Sequence, residues 1–508
     1  MSFFNLHLKI TLILPKRKVH VFWLALLAWL LVNCSENDTK QKAFAPKPVN
    51  ANEILGYLHN LLQEPELAGA SLGFYVTPLE KDSAIVAYMP DVALATASTL
   101  KAVTTATALG ILGSDYRFET QIAYSGKIDA SGTLQGNLYL IGSGDPSFGS
   151  DNMPSLIDFL ANRVIEKGIK KINGQLIGDA SIFDNDGAAR TWIWEDIGNY
   201  YGASPSGLSI HQNQYSIYFK TGRSSGEETK IVEVAPKIEG LNVRNEVVTG
   251  EKYSGDNAYI FGGPFSYEKI VRGTLPPNYN RFMIKGAMPE PAKFCTSYFL
   301  KTLEAKGVQI SESFKVLYER PLNLPKLTKV YTYQSPPLSE IIKQTNYKSI
   351  NLYADALLKK IGHERLNEGN FEGGIEVLKS YWANKGVDTP GLLMHDGSGL
   401  SRYNAVSALS LSNILRYTIQ KDTSEVFLQS LPVAGVSGTL KNICKNHVAK
   451  GRISAKSGYI KNVRAYTGLV NTYSNKRLIF TLLINNHTKS YREMTPHIEE
   501  IFNLLTRL

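Results

Sequence analysis

The chain has 508 residues, 43% hydrophobic and 20% charged, with a formal net charge of +10. That length predicts two or three domains, and the composition excludes a disordered or low-complexity chain. The positive charge is spread along the sequence with no basic cluster interleaved with aromatics, so it predicts a solvated basic surface and no nucleic-acid partner.

Lys16-Arg17-Lys18 precedes the apolar run Val21 to Val32, followed by Asn33-Cys34-Ser35 and a polar tail. A dozen apolar residues behind a basic cluster make the core of an export signal and fall short of a comfortable membrane span, so residues 1–34 are expected to direct export. Leu31-Val32-Asn33-Cys34 resembles a bacterial lipobox, whose cysteine is lipidated after cleavage, but Asn33 stands where Gly, Ala or Ser is usual. Membrane attachment through a lipid on Cys34, ordinary cleavage and an uncleaved anchor all stay open. Past Cys34 only Cys295 and Cys444 occur, which excludes a disulfide framework, leaves their pairing with each other open, and supplies no metal site.

Residues 35–50 are polar, carry Pro46 and Pro48, and predict a linker. An amphipathic helix follows from Ala51 (Ile54, Leu55, Leu58, Leu61, Leu62), then strands over 70–76 and 83–88. The small and apolar run from Ala93 to Leu109 predicts a buried helix that ends near Gly110 to Gly113. From Tyr116 to about Leu327 short alternating runs (120–124, 136–141, 175–178, 215–219) are separated by turns rich in Gly, Asp and Ser. This texture predicts one or two β-rich domains, residues 114–327, inserted into a host made of 51–113 and 328–508. Helical periodicity returns at 338–342 and 351–358, a strand pair is expected at 465–470 and 478–484, and a last helix from about Thr495.

Ser98-Thr99-Leu100-Lys101 places a serine and a lysine on one helical face. An amine next to a hydroxyl takes its proton once burial or a neighbouring charge lowers the lysine pKa, giving a nucleophile with its own base. The same spelling recurs at Ser266-Tyr267-Glu268-Lys269, behind a turn-rich stretch that predicts exposure. Gly69-Ala70-Ser71-Leu72-Gly73 matches a hydrolase nucleophile elbow, but that motif needs a helix directly after its serine, and here a β-run follows.

Serine–lysine acyl enzymes need two further elements, Ser-x-Asn and Lys-Thr/Ser-Gly. The second serine relays the proton, the asparagine holds the substrate backbone, and the lysine strand receives a carboxylate and helps form the oxyanion hole. Two sets occur: Ser150-Asp151-Asn152 with Lys220-Thr221-Gly222, and Ser349-Ile350-Asn351 with Lys456-Ser457-Gly458. The first is better spelled, but it reads as a helix cap and as a strand end running into a solvated loop with no partner strand immediately after it. In the second set Ser349-Ile350-Asn351 opens a helix, and Lys456-Ser457-Gly458 lies just before the final strand pair, where a substrate-binding edge strand belongs.

With these residues the chain resembles the D-alanyl-D-alanine carboxypeptidase/endopeptidase family of low-molecular-mass penicillin-binding proteins, peptidase family S13. The similarity runs from about residue 52 to the C-terminus, through Ala97 to Lys101, Leu134 to Pro146, Ile177 to Phe183, Tyr201 to Pro205, Ser335 to Glu340, Asp396 to Arg402 and Ala434 to Leu440. It implies an α+β fold, the serine β-lactamase/transpeptidase-like domain with an antiparallel sheet flanked by helices, carrying a large β-rich insertion. It also implies roles. Ser98 attacks the penultimate D-alanine carbonyl with Lys101 as base, Ser349 relays the proton, and Asn351 orients the acyl chain. Lys456 and Ser457 take the terminal carboxylate beside Gly458, and the N–H groups of Ser98 and Tyr459 form the oxyanion hole. Asp179 and Arg402 match positions near the stem-peptide side chain. The expected partners are peptidoglycan stem peptides and β-lactams, with no cofactor. A β-lactamase of the same chemistry and a catalytically weak wall-binding protein are the rival readings. Ile350 and Tyr459 depart from the family pattern without removing a reacting atom, and His395 is expected to be structural.

Overall fold

The computed structural model describes residues 46–508 apart from 82, 151, 152, 324, 422 and 423. The export segment, Cys34, most of the linker, and Asp151 and Asn152 lie outside the described residues.

A five-stranded antiparallel sheet runs in the order Val86–Tyr88, Ser71–Pro78, Arg477–Asn485, Val463–Asn471, Ile453–Ile460. Its central strands are buried on both faces, so they read as continuous apolar runs rather than alternating ones. One face is covered by the helices Ala51–Leu62 and Tyr491–Thr506, which bury Ile54, Leu58 and Leu61 against Ile498, Ile501 and Phe502. At roughly 1.5–3 kcal/mol per fully buried large apolar side chain, this layer is a main source of stability. The last helix starts four residues before the expected Thr495: Ser490 and Glu493 form a capping box, and Pro496 falls inside the helix.

The other face carries the helices Leu100–Leu112, Leu338–Tyr347, Asn351–Leu366, Phe371–Ala383 and Ala408–Ile419. Leu100–Leu112 is buried all round from Leu100 to Leu109, as its small residues require.

The β-rich region builds a separate core. Its larger sheet is ordered Phe314–Leu317, Leu176–Asp179, Leu138–Ile141, Glu119–Tyr124, Thr328–Gln334. The strand Thr328–Gln334, on the host side of the expected boundary, thus pairs within the inserted sheet. The chain enters and leaves at one place: Phe118 N–H donates to Ser335 Oγ at 3.0 Å, and Leu338 N–H donates to Tyr116 O at 2.8 Å.

Cys295 and Cys444 are both buried and unpaired, one in the inserted core and the other under the host sheet, so the pairing left open by the sequence does not form. Burial pushes both thiols up to about 12. Alkylation under native conditions is therefore expected to leave both peptides unmodified, with full reaction only in denaturant, as read by peptide mass mapping.

Candidate active site

Ser98 lies in a short 3-10 turn, Ala97–Thr99, that leads into the helix Leu100–Leu112. Ala97 holds a left-handed φ of 43°, and the turn is pressed from both sides by glycines. A Cβ on Gly399 would meet Ala97 O at 1.9 Å, and one on Gly458 would meet Thr96 O at 2.6 Å and Ser98 N at 3.0 Å. The backbones of the 396–399 turn and of the edge strand thus lie directly on the serine turn.

Lys101 is fully buried. Its Nζ lies 2.9 Å from Ser98 Oγ, 2.6 Å from Asn351 Oδ1 and 2.6 Å from Ser398 O. The Asn351 amide orientation is fixed, because its Nδ2 donates to Tyr201 O at 2.7 Å. Asn351 Oδ1 and Ser398 O can only accept, whereas the hydroxyl can donate. A neutral amine has two N–H donors and one lone pair, so this geometry leaves the lone pair for Ser98. Burial pulls the Lys101 pKa down, against the opposing charges of Asp355 and Asp396.

Ser349 precedes the helix Asn351–Leu366 with a left-handed φ of 59°. Its Oγ accepts from Lys456 Nζ at 3.0 Å, and that amine also donates to Ser457 O at 2.7 Å. Lys456 is fully buried, and burial followed by repulsion from Lys101 holds its pKa well below the ordinary lysine value. Lys456, Ser457, Gly458 and Tyr459 lie on the edge strand Ile453–Ile460. Pro432–Ala434 covers the start of that edge, with Ala434 N–H donating to Ile453 O and Ala455 N–H to Pro432 O, each at 2.9 Å. From Lys456 on, no strand is paired on that side among the described residues. Ser457 Oγ shares a hydrogen bond with Thr439 Oγ1 at 2.7 Å, and Tyr459 is exposed, with its ring edge-on to Tyr491.

Arg402 is exposed, and its charge acts on Asp196, which hydrogen-bonds Tyr201. Arg402 thus acts on the carboxyl that bonds the side chain of Tyr201, the residue whose carbonyl Asn351 engages. Asp179 ends its strand in a local turn, accepting from Ser181 N–H at 3.0 Å and Ser181 Oγ at 2.6 Å. Its side chain is occupied there rather than by the lysine cluster.

The competing motifs are elsewhere. Lys269 is buried rather than exposed, donating to Gly262 O and Gly263 O, while Ser266 Oγ donates to Glu268 O. Lys269 lies in the strand Glu268–Leu275 and Ser266 before it, and each side chain is bonded to main-chain carbonyls and not to the other. Lys220 ends a strand that does gain a partner after the loop, Lys230–Ala235, inside the inserted region. Ser71 starts a sheet strand, as its context predicts.

Sequence reasoning missed three contributors. Asp355 sits one turn beyond Asn351 on the same helix face, a spacing that could have revealed it. Asp396 holds the Asp396 to Gly399 turn by accepting from Trp192 Nε1, Gly399 N, Ser401 N and Asn404 Nδ2 at 2.7–2.8 Å. Tyr201 acts through its carbonyl, which no side-chain pattern signals.

The fold has known counterparts. Penicillin binding protein 4 (dacB) from Haemophilus influenzae superposes with a TM-score of 0.77 at 24% identity, covering 90% of this chain and 98% of that one. The fold is thus the expected α+β one of the β-lactamase/transpeptidase kind. The sequence profile of the D-Ala-D-Ala carboxypeptidase 3 (S13) family matches residues 55–505, and the chain belongs to that family. A D-alanyl-D-alanine carboxypeptidase from Actinomadura sp. (strain R39) is 30% identical over 441 residues, 84% of this chain and 80% of that protein. D-alanyl-D-alanine carboxypeptidase DacB from Haemophilus influenzae is 26% identical over 449 residues, 87% of this chain and 91% of that one.

Proposed function

We propose that this D-Ala-D-Ala carboxypeptidase acts on peptidoglycan stem peptides through an acyl-enzyme on Ser98, and that it also cleaves D-Ala–diaminopimelate cross-links as a D,D-endopeptidase. The observation that carries the reading is the buried amine of Lys101, with two obligate acceptors and one hydroxyl around it. Lys101 takes the Ser98 proton as Oγ bonds to the penultimate D-alanine carbonyl. The substrate enters as a strand along the open edge from Lys456, its terminal carboxylate received by Lys456 and Ser457. Backbone N–H groups of Ser98 and Tyr459 hold the oxyanion, and Gly458 permits the close approach this needs. Ser349 passes a proton to the leaving D-alanine, and water then releases the acyl group. Asn351 orients the acyl chain, and Asp179 and Arg402 lie toward the stem-peptide side chain. The host unit supplies these groups apart from Asp179, which belongs to residues 114–327 flanking the cleft. β-Lactams acylate the same serine; the Haemophilus influenzae relative has been solved in complex with one. The basic and apolar segment before residue 34 supports export to the cell envelope, with lipid attachment through Cys34 as one form of retention.

A fluorescent penicillin tests this reading. Stable labelling that disappears in Ser98→Ala supports it, rapid release of the label would indicate a β-lactamase, and no labelling would remove both enzymes. Mass spectrometry of muropeptides then separates the activities, with loss of D-alanine for the carboxypeptidase and loss of cross-links for the endopeptidase.

A further inference from the structure

Four titratable side chains are buried together behind Ser98: the lysines Lys101 and Lys456, and the carboxyls Asp355 and Asp396. Asp396 spends both carboxyl oxygens on four donors of the insertion and its own turn, so its role is to hold that turn. Asp355 differs. Its Oδ1 accepts from Gly397 N–H at 2.8 Å, and the Ser398 side chain is its other hydrogen-bond partner. Gly397 rests on the Asp355 helix, since a Cβ there would meet Ala354 O at 2.7 Å, and its own carbonyl accepts from Thr104 Oγ1 at 2.7 Å. The next carbonyl, Ser398 O, is one of the acceptors of Lys101.

We propose that Asp355 is a positioning residue for the reaction described above, holding Ser398 O against Lys101 and fixing through its charge how tightly Lys101 keeps its proton. The inference rests on Lys101 being the base. Burial raises the Asp355 pKa, with Asp396 adding to the rise and Lys101 opposing it. The groups around Asp355 are Lys101 on the serine helix, Asp396 on the turn and Lys359 one turn further along its own helix. Lys456 on the edge strand acts on Lys101. Lys359 is already matched by Asp184 of the insertion, so it does not neutralise Asp355.

The sign follows from the charges. A neutral Lys101 is the active form, and the Asp355 carboxylate favours the protonated one. Removing that charge makes Lys101 give up its proton more readily, so the acidic limb of the acylation rate should move to lower pH.

The test is the pH dependence of fluorescent-penicillin acylation in the full chain. Asp355→Asn keeps an oxygen for Gly397 N–H and deletes only the charge, so its acidic limb is expected about one pH unit or more below that of the unsubstituted protein. If that variant does not fold, Asp355→Ala deletes the charge without placing an amide in the cavity, and the same displacement is expected. A limb that stays in place in a folded variant overturns the proposal, because loss of local order lowers the amplitude without moving the limb. A limb displaced to higher pH overturns it as well. Failure of the unsubstituted protein to label at all removes the Ser98–Lys101 chemistry instead, so the two failures are distinguishable.

Discussion

Replacing Lys101 with methionine is expected to slow capture of penicillin by Ser98 about 10³-fold, within the range that a positioned general base contributes. Methionine matches the length and apolar character of the lysine stem but has no basic lone pair. The substitution leaves Asn351 Oδ1 and Ser398 O without the donor they now share, at about 1–3 kcal/mol for each orphaned buried acceptor. It also relieves the desolvation that lowers the Lys101 pKa, which offsets part of that cost. The activity should therefore fall far more than the melting temperature. Time-resolved labelling beside thermal unfolding reads both, and labelling at the unsubstituted rate would remove Lys101 from the chemistry.

The second large effect is expected at Gly458. An added methyl would sit 2.6 Å from Thr96 O and 3.0 Å from the backbone nitrogens of Ser98 and Thr99. Every one of these atoms is main chain, so no side chain can swing away, and either the edge strand or the serine turn must move. Gly458→Ala should cost about 1–3 kcal/mol as an overpacking change, and a displacement approaching 1 Å should lower acylation about 10²-fold. Gly56→Ala is the control: Gly56 is exposed in the helix Ala51–Leu62 with nothing near the added methyl, and there alanine should stabilise by about 1 kcal/mol. Acylation by Gly458→Ala at the unsubstituted rate would show that the approach of strand to serine is not needed.

Whatever has a period or a spelling was legible in the sequence. The alternation and long apolar runs located the sheet strands to within a few residues, and the small-residue run around Lys101 identified a helix that is buried all round. Context separated Lys456 from Lys220 although one of its grounds failed, since the Lys220 strand pairs with the segment after its loop. The last helix begins at Tyr491 and not near Thr495 because Ser490 and Glu493 cap it, and Pro496, its sixth residue, is carried inside. Lys269 is buried beside the turn-rich stretch expected to be exposed because glycine carbonyls satisfy its amine, and backbone acceptors leave no trace in a side-chain pattern. The same blindness hid Tyr201 O and Ser398 O, both partners in the lysine cluster.

The entry and exit of the β-rich region lie side by side, so a short bridge between Ser114 and Ser339 would leave the host sheet and its two helical layers without a gap. Such a shortened chain would keep a fold and lose a reagent. Tyr201 anchors the asparagine, Trp192 caps Asp396, and Asp184 matches Lys359, and all three arrive from the inserted segment. The host supplies the serine and the lysines, but the polarity that makes one lysine a base is assembled across the junction. On the proposed mechanism the insertion is therefore part of the site, and the shortened chain should fold without acylating.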